Sequence, residues 1–267
     1  MTQQELIALN PWAKYPNYKG VGYRFYYEDT DLIHPLDKEI IDEYNNGRAR
    51  QYSFECHVPP FPFQGNPFCA KVVFLSLNPG FIERINKDAA LLLEHTNTCI
   101  YVNDIWYQHM IHGSSSMFPP INQTDQYTAY QLLQDWYWED MLASLRKDCK
   151  LNTDTFNERI ALIQLIPYSS TACNKAIINL PTQQYTKQLI HYLLEQPDGP
   201  LFVVMRSEPE WGKLLGIDFE NSKYQHRFIL RKRDTQGHRP RSQFISENAF
   251  TDGGYQKIIT KLITKNY

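Results

Sequence analysis

The chain has 267 residues, enough for one large domain or two small ones and for a sizeable buried core. A formal charge of -2 at pH 7 excludes an overall electrostatic pull toward nucleic acid, so any such contact has to be local. The five cysteines, Cys56, Cys69, Cys99, Cys149 and Cys173, are scattered and never spaced as CxxC, which argues against a zinc knuckle or a disulfide framework. Reduced thiols in a cytoplasmic protein are the expectation. The first residues, MTQQELIALNPW, lack a basic segment followed by an apolar one, so no signal peptide is expected. No apolar run approaches the length of a membrane span, so no membrane association is expected either.

Residues 1–65 read as an irregular lead-in packed on the same domain, and residues 66–267 as an α/β domain. Within the lead-in, PLDKEIIDEY (35–44) predicts a short helix with Ile40, Ile41 and Tyr44 on one face. The segment VPPFPFQGNP (58–67) holds too much proline for a regular element, and packing is the expected role of Phe61 and Phe63. The stretch KVVFLSLNPGF (71–81) follows. Val72, Val73, Phe74 and Leu75 form an apolar run suited to a buried strand, and Asn78-Pro79-Gly80 stops it. This places the polar side chain of Asn78 at the carboxyl end of a central strand, where open α/β sheets bind ligands.

Beyond Phe81 the pattern is mostly helical to about Arg159. DAALLLEH (88–95) is a helix pattern, GSSSMFPP (113–120) is a loop, and residues 127–147 form a second helical stretch striped by Leu132, Leu133, Trp136, Met141, Leu142 and Leu145. IALIQLI (160–166) is the second strand and carries Gln164, a polar residue that must find a partner or face a cavity. A helix over 181–196 starts near Pro181. LFVVM (201–205) is the third strand, followed by a short helix over 210–215. A fourth strand is expected over 224–230, then a basic loop over 231–248 and a closing helix over 254–264. The alternation implies a mainly parallel four-stranded sheet covered on both faces, with Asn78, Gln164 and Arg206 converging at its carboxyl edge.

Ser76-Leu77-Asn78-Pro79-Gly80 at the end of the first strand resembles the first motif of the uracil-DNA glycosylase superfamily, in the form used by its mismatch-specific branch. The element order over 66–264 resembles that family too. The resemblance implies a three-layer α/β sandwich with a central, mainly parallel four-stranded sheet. It also implies a second motif just before the last helix, where RPRSQFISENAF (239–250) stands. The family's His-Pro-Ser or Asn-Pro-Ser triplet is absent: Pro240 and Ser242 are separated by Arg241.

What the resemblance implies for activity is hydrolysis of the N-glycosidic bond of a damaged, mismatched or modified DNA base, with no cofactor. Asn78 takes the catalytic position. Ser76, Leu77, Pro79, Gly80, Phe81 and Gln164 line the base pocket, and Gly80 leaves room where strict uracil enzymes have a Tyr. DNA is the implied partner, met by Arg231, Lys232, Arg233, Arg239, Arg241, Ser242, Ser246 and Asn248. The residues alone support part of this. Seven Lys and Arg side chains fall between Lys223 and Arg241 with Asp234 the lone acid, a basic segment suited to phosphates or to solvent. Asn78 is neutral, so it can orient water but accepts a proton very poorly. The amide of Gln164 offers an acceptor and two donors to a base edge. Two other readings stand beside the enzyme: a non-catalytic protein of the same fold that binds nucleic acid or a protein, and an enzyme acting on a nucleotide or nucleoside. Cys173, His57, His112 and His191 have no visible catalytic partner, and no GxGxxG, Walker or zincin pattern occurs.

Overall fold

The structure, a computed structural model, describes residues 1–14, 31–57, 60–79, 136–172, 177–233, 245–251 and 253–264. The expected helix over 88–95, the loop over 113–120, Leu132, Leu133, Cys99, His112, Cys173 and Phe244 lie outside the described residues. So do Gly80, Phe81, Arg239, Arg241 and Ser242.

Among the described residues the fold is α/β. Its single sheet has five strands: β1 (Phe63–Gln64), β2 (Val72–Ser76), β3 (Ile160–Gln164), β4 (Leu201–Val204) and β5 (Phe228–Leu230), in the order β1-β3-β2-β4-β5. The pairs β2–β3, β2–β4 and β4–β5 are parallel, and β1 joins β3 antiparallel. The sheet is therefore mixed and five-stranded where four strands were expected. The added strand lies inside the proline-rich segment. It can form because it is short and lies at the edge, where a proline without an N–H leaves no ladder bond unmade. Pro62 still contributes its carbonyl, which accepts Gln164 N at 2.8 Å. The fourth expected strand starts late, at Phe228, because Gln225–Arg227 winds into a 3-10 turn.

The helices are α1 (Gln3–Ala8), α2 (Lys38–Asn45), α3 (Trp136–Cys149), α4 (Thr153–Glu158), α5 (Gln183–Glu195), α6 (Glu208–Leu215) and α7 (Gly254–Ile263). α1 is fixed by a capping box between Thr2 and Glu5, and α6 ends at Gly216, which takes φ 69°. α5 ends where Arg227 donates to the carbonyls of Leu193, Gln196 and Pro200. The lead-in is thus more regular than expected, with two helices and the edge strand. Its Leu6, Trp12, Ile41 and Phe54 join the strand residues in one hydrophobic core.

All five residues of both β2 and β3 are buried, as continuous apolar runs in a parallel sheet should be. Strand register assigns the two faces. Phe63 meets Tyr185 of α5, so Phe63 and its same-face neighbours Ile163, Leu75 and Val204 point toward α5. Phe74, Ser76, Leu162, Gln164, Val203 and Ile229 point the other way. That is the face of α7, where a Cβ on Gly254 would lie 3.0 Å from Ile229 Cγ2. α3 packs on α7, and α5 packs on α6. The connection leaving β2 runs to β3 on one side, and that leaving β4 runs to β5 on the other. Of the described helices on these connections, α3 after β2 packs with α7 and α6 after β4 packs with α5, on opposite faces; open α/β sheets have their ligand crevice at the carboxyl ends of strands placed so, here β2 and β4.

Candidate functional site

Residues 76–79 carry β2 into that crevice, and the chain after β3 runs beside them. Leu165 N donates to Ser76 O at 3.0 Å, Ile166 N to Leu77 O at 2.8 Å and Ser170 N to Pro79 O at 3.2 Å. Backbone bonding between the two segments therefore continues past the ends of β2 and β3. Ser76 O takes a second bond from Trp211 Nε1 of α6 at 3.1 Å.

Asn78 is half-buried, and its side-chain amide is clamped. Nδ2 donates to Pro79 O at 2.9 Å, to Tyr168 O at 3.3 Å and to Ser170 Oγ at 2.8 Å. Two of these acceptors are carbonyls, which cannot donate, so the amide has one sensible orientation. Oδ1 faces away from them, and among the described residues no donor reaches it. The outcome is an uncharged acceptor held at the mouth of the crevice.

Gln164 lies beside Ser76 in register and is 3% exposed. Its Oε1 is buried with no donor among the described residues. A buried acceptor in that state costs about 1–3 kcal/mol, so a ligand donor arriving there would recover part of that cost. Ser76 is buried, while Leu77 and Pro79 are partly exposed. Arg206, expected at the same edge, is exposed two residues beyond β4. It does not enter the Asn78 clamp.

The loop residues divide. Arg231 is 2% exposed: its backbone bridges Phe250 and its guanidinium lies 5.8 Å from the Phe250 ring centre. It offers no charge to a phosphate backbone from that position, which corrects its expected role. Lys232 and Arg233 are exposed, but Arg233 is ion-paired with Glu208 at 3.0 Å, and Glu220 lies 3.8 Å away. Ser246 is partly exposed and Asn248 exposed. Ile245 is an anchor: it is 1% exposed and its N–H bonds Met141 O of α3 at 3.1 Å.

Two of the described thiols are poor nucleophiles. Burial pushes the Cys56 and Cys149 thiols up to about 11, far from the thiolate a nucleophile needs. His191 Nε2 bonds Leu215 O at 2.8 Å, an ordinary helix-end contact. No group of three metal-ligating side chains occurs among the described residues, and no helix there is long and apolar enough to cross a membrane.

Sequence reasoning missed the supports of Asn78. No signal in the sequence joins Tyr168 and Ser170 to Asn78 across separations of 90 and 92 residues. Comparison with protein-family models, with curated proteins and with solved structures finds no match.

Proposed function

We propose that this protein is a DNA glycosylase-like enzyme of the uracil-DNA glycosylase fold. It would hydrolyse the N-glycosidic bond of a damaged, mismatched or modified base, with the reacting sugar at Asn78. The observation that carries the proposal is the clamp on the Asn78 amide, at the carboxyl end of the central strand and in the crevice where the chain leaves to opposite faces. Breaking this bond builds cation-like charge on the sugar and needs a placed water. Asn78 Oδ1 can accept from that water and present its dipole to the sugar without being charged. Gln164 Oε1 supplies a buried acceptor for an N–H on the flipped base. The test is a panel of duplex and single-stranded oligonucleotides carrying modified, damaged and mismatched bases. After incubation, alkali cleaves any abasic site. At least one base should be released; strands left intact across the panel would remove the catalytic reading.

A second reading, a non-catalytic protein of the same fold, is favoured by the state of the loop cations. Arg231 is buried and Arg233 is paired, which leaves Lys232 as the exposed, charge-presenting cation of residues 231–233. Salt-dependent binding separates the roles. If the loop meets duplex DNA, Lys232→Ala should weaken binding to every sequence and reduce the slope of log affinity against log salt by about 0.9. Arg231→Ala should leave the slope unchanged and lower the melting temperature, because it empties buried volume against Phe250. An unchanged slope in Lys232→Ala would show that Lys232 meets no phosphate.

A further inference from the structure

The lead-in does more than pack on the sheet. Asp37 stands at the N-cap of α2, where an aspartate ordinarily accepts from the backbone N–H groups of the first turn. Here it makes no such bond. Its carboxylate is fully buried and turned to the rest of the chain: Oδ1 accepts Thr182 N at 3.0 Å, and Oδ2 accepts Thr182 Oγ1 at 2.6 Å and Tyr168 OH at 2.7 Å. Tyr168 Oη also accepts His34 N at 3.2 Å. The same Tyr168 gives its backbone carbonyl to Asn78 Nδ2.

Around Tyr168 the lead-in grips the loop by its backbone. Phe61 N donates to Pro167 O at 2.6 Å, Glu55 N to Ser169 O at 2.8 Å and Ala172 N to Gln51 O at 2.8 Å. Trp12 packs edge-on against both His34 and Tyr168. The loop over 167–172, which holds two of the three acceptors for Asn78, is therefore held in place by the lead-in.

We infer that Asp37 is a positioning residue for Asn78, acting through the Tyr168 hydroxyl to set where the Tyr168 carbonyl and the Ser170 hydroxyl hold the amide. The inference rests on the reading of Asn78 given above, and its test has an arm that needs no activity. Asp37→Asn is nearly isosteric but keeps one acceptor oxygen where the carboxylate had two, so in either orientation its NH2 faces a donor, Thr182 N or the Tyr168 and Thr182 hydroxyls, and the network must rearrange. Tyr168→Phe keeps the ring and deletes the hydroxyl, and serves if Asp37→Asn folds poorly.

The first readout is the side-chain amide signal of Asn78 in a nitrogen–proton spectrum, assigned by its loss in Asn78→Ala. In the wild type the bonded amide should exchange slowly with water. Asp37→Asn and Tyr168→Phe should each shift it and speed its exchange about tenfold, the effect of weakening one hydrogen bond. Tyr255→Phe, which breaks a comparable bond to Asp148 between α7 and α3, should leave it unmoved. The second readout uses any oligonucleotide the wild type cleaves: kcat should fall about 10²-fold with KM unchanged, as expected when a reacting group is misplaced while substrate contacts remain. An Asn78 signal unaltered by both variants while their melting temperatures fall would overturn the inference and leave Asp37 a structural strut. If the wild type cleaves nothing, the glycosylase reading fails by itself, and the amide signal still decides whether Asp37 places Asn78.

Discussion

Asn78→Ala is expected to lower the rate of base release at least about 10²-fold while costing the fold only about 1 kcal/mol. The two effects separate because of what the side chain touches. Asn78 shares its two N–H donors among three acceptors, but it is half-buried, and Pro79 O keeps a second donor in Ser170 N after the amide is gone. Water can replace what the other acceptors lose, so few buried groups are left orphaned. For a chain of this size 1 kcal/mol corresponds to a fall of about 2–4 °C in melting temperature. In the proposed reaction the rate depends instead on an acceptor held at one place in the crevice, which alanine lacks entirely. Equal rates for the variant and the wild type on a confirmed substrate would remove Asn78 from the reaction. A loss of stability several times larger would make it a strut between β2 and the loop after β3.

The parts of this fold that could be read from sequence are those with the simplest physical cause. β2, β3 and β4 are apolar runs because both faces of the sheet are covered, and the helices α5 and α7 carry continuous apolar stripes. Asn78 was legible because Asn-Pro-Gly cannot continue a ladder. β1 was not legible: two residues among prolines hold no period, and only the partner strand makes Phe63–Gln64 a strand. Arg231 misled for a related reason. A run of basic residues reads as a solvated loop, but pairing with Phe250 continues the strand geometry for one more residue, which turns Arg231 inward and leaves Lys232 and Arg233 outside. The supports of Asn78 were hidden most deeply. Asp37 and Tyr168 are 131 residues apart, and an aspartate at a helix start has a sufficient local explanation as a cap. That local explanation fails here, since the carboxylate bonds across the fold instead.

The largest expected loss of stability falls on α6. Trp211→Ala should destabilise the protein by about 3–5 kcal/mol, through lost burial and the cavity left behind, and lower its melting temperature by about 10 °C. Trp211 is fully buried, and its indole N–H ties α6 to Ser76 O at the end of β2. Alanine loses the ring and the bond together, so Trp211→Phe is needed to separate them. Phenylalanine keeps much of the apolar volume and removes the donor. Because Ser76 O also accepts Leu165 N, it is not orphaned, and the cost should be closer to 1–2 kcal/mol, the bond plus a small cavity. Thermal melting followed by circular dichroism measures both variants. A fall of less than about 2 °C for Trp211→Ala would mean that α6 rearranges to fill the space and does not brace the sheet. The phenylalanine variant then carries information about the site. Ser76 is two residues before Asn78, so a bond that fixes its carbonyl also fixes the path by which the strand delivers Asn78 to the crevice. Base release should therefore fall more in Trp211→Phe than its small loss of stability alone would produce at a temperature where both proteins remain folded. Rates that match the wild type there would show that the pairing of residues 76–79 with the loop after β3 holds Asn78 without help from α6.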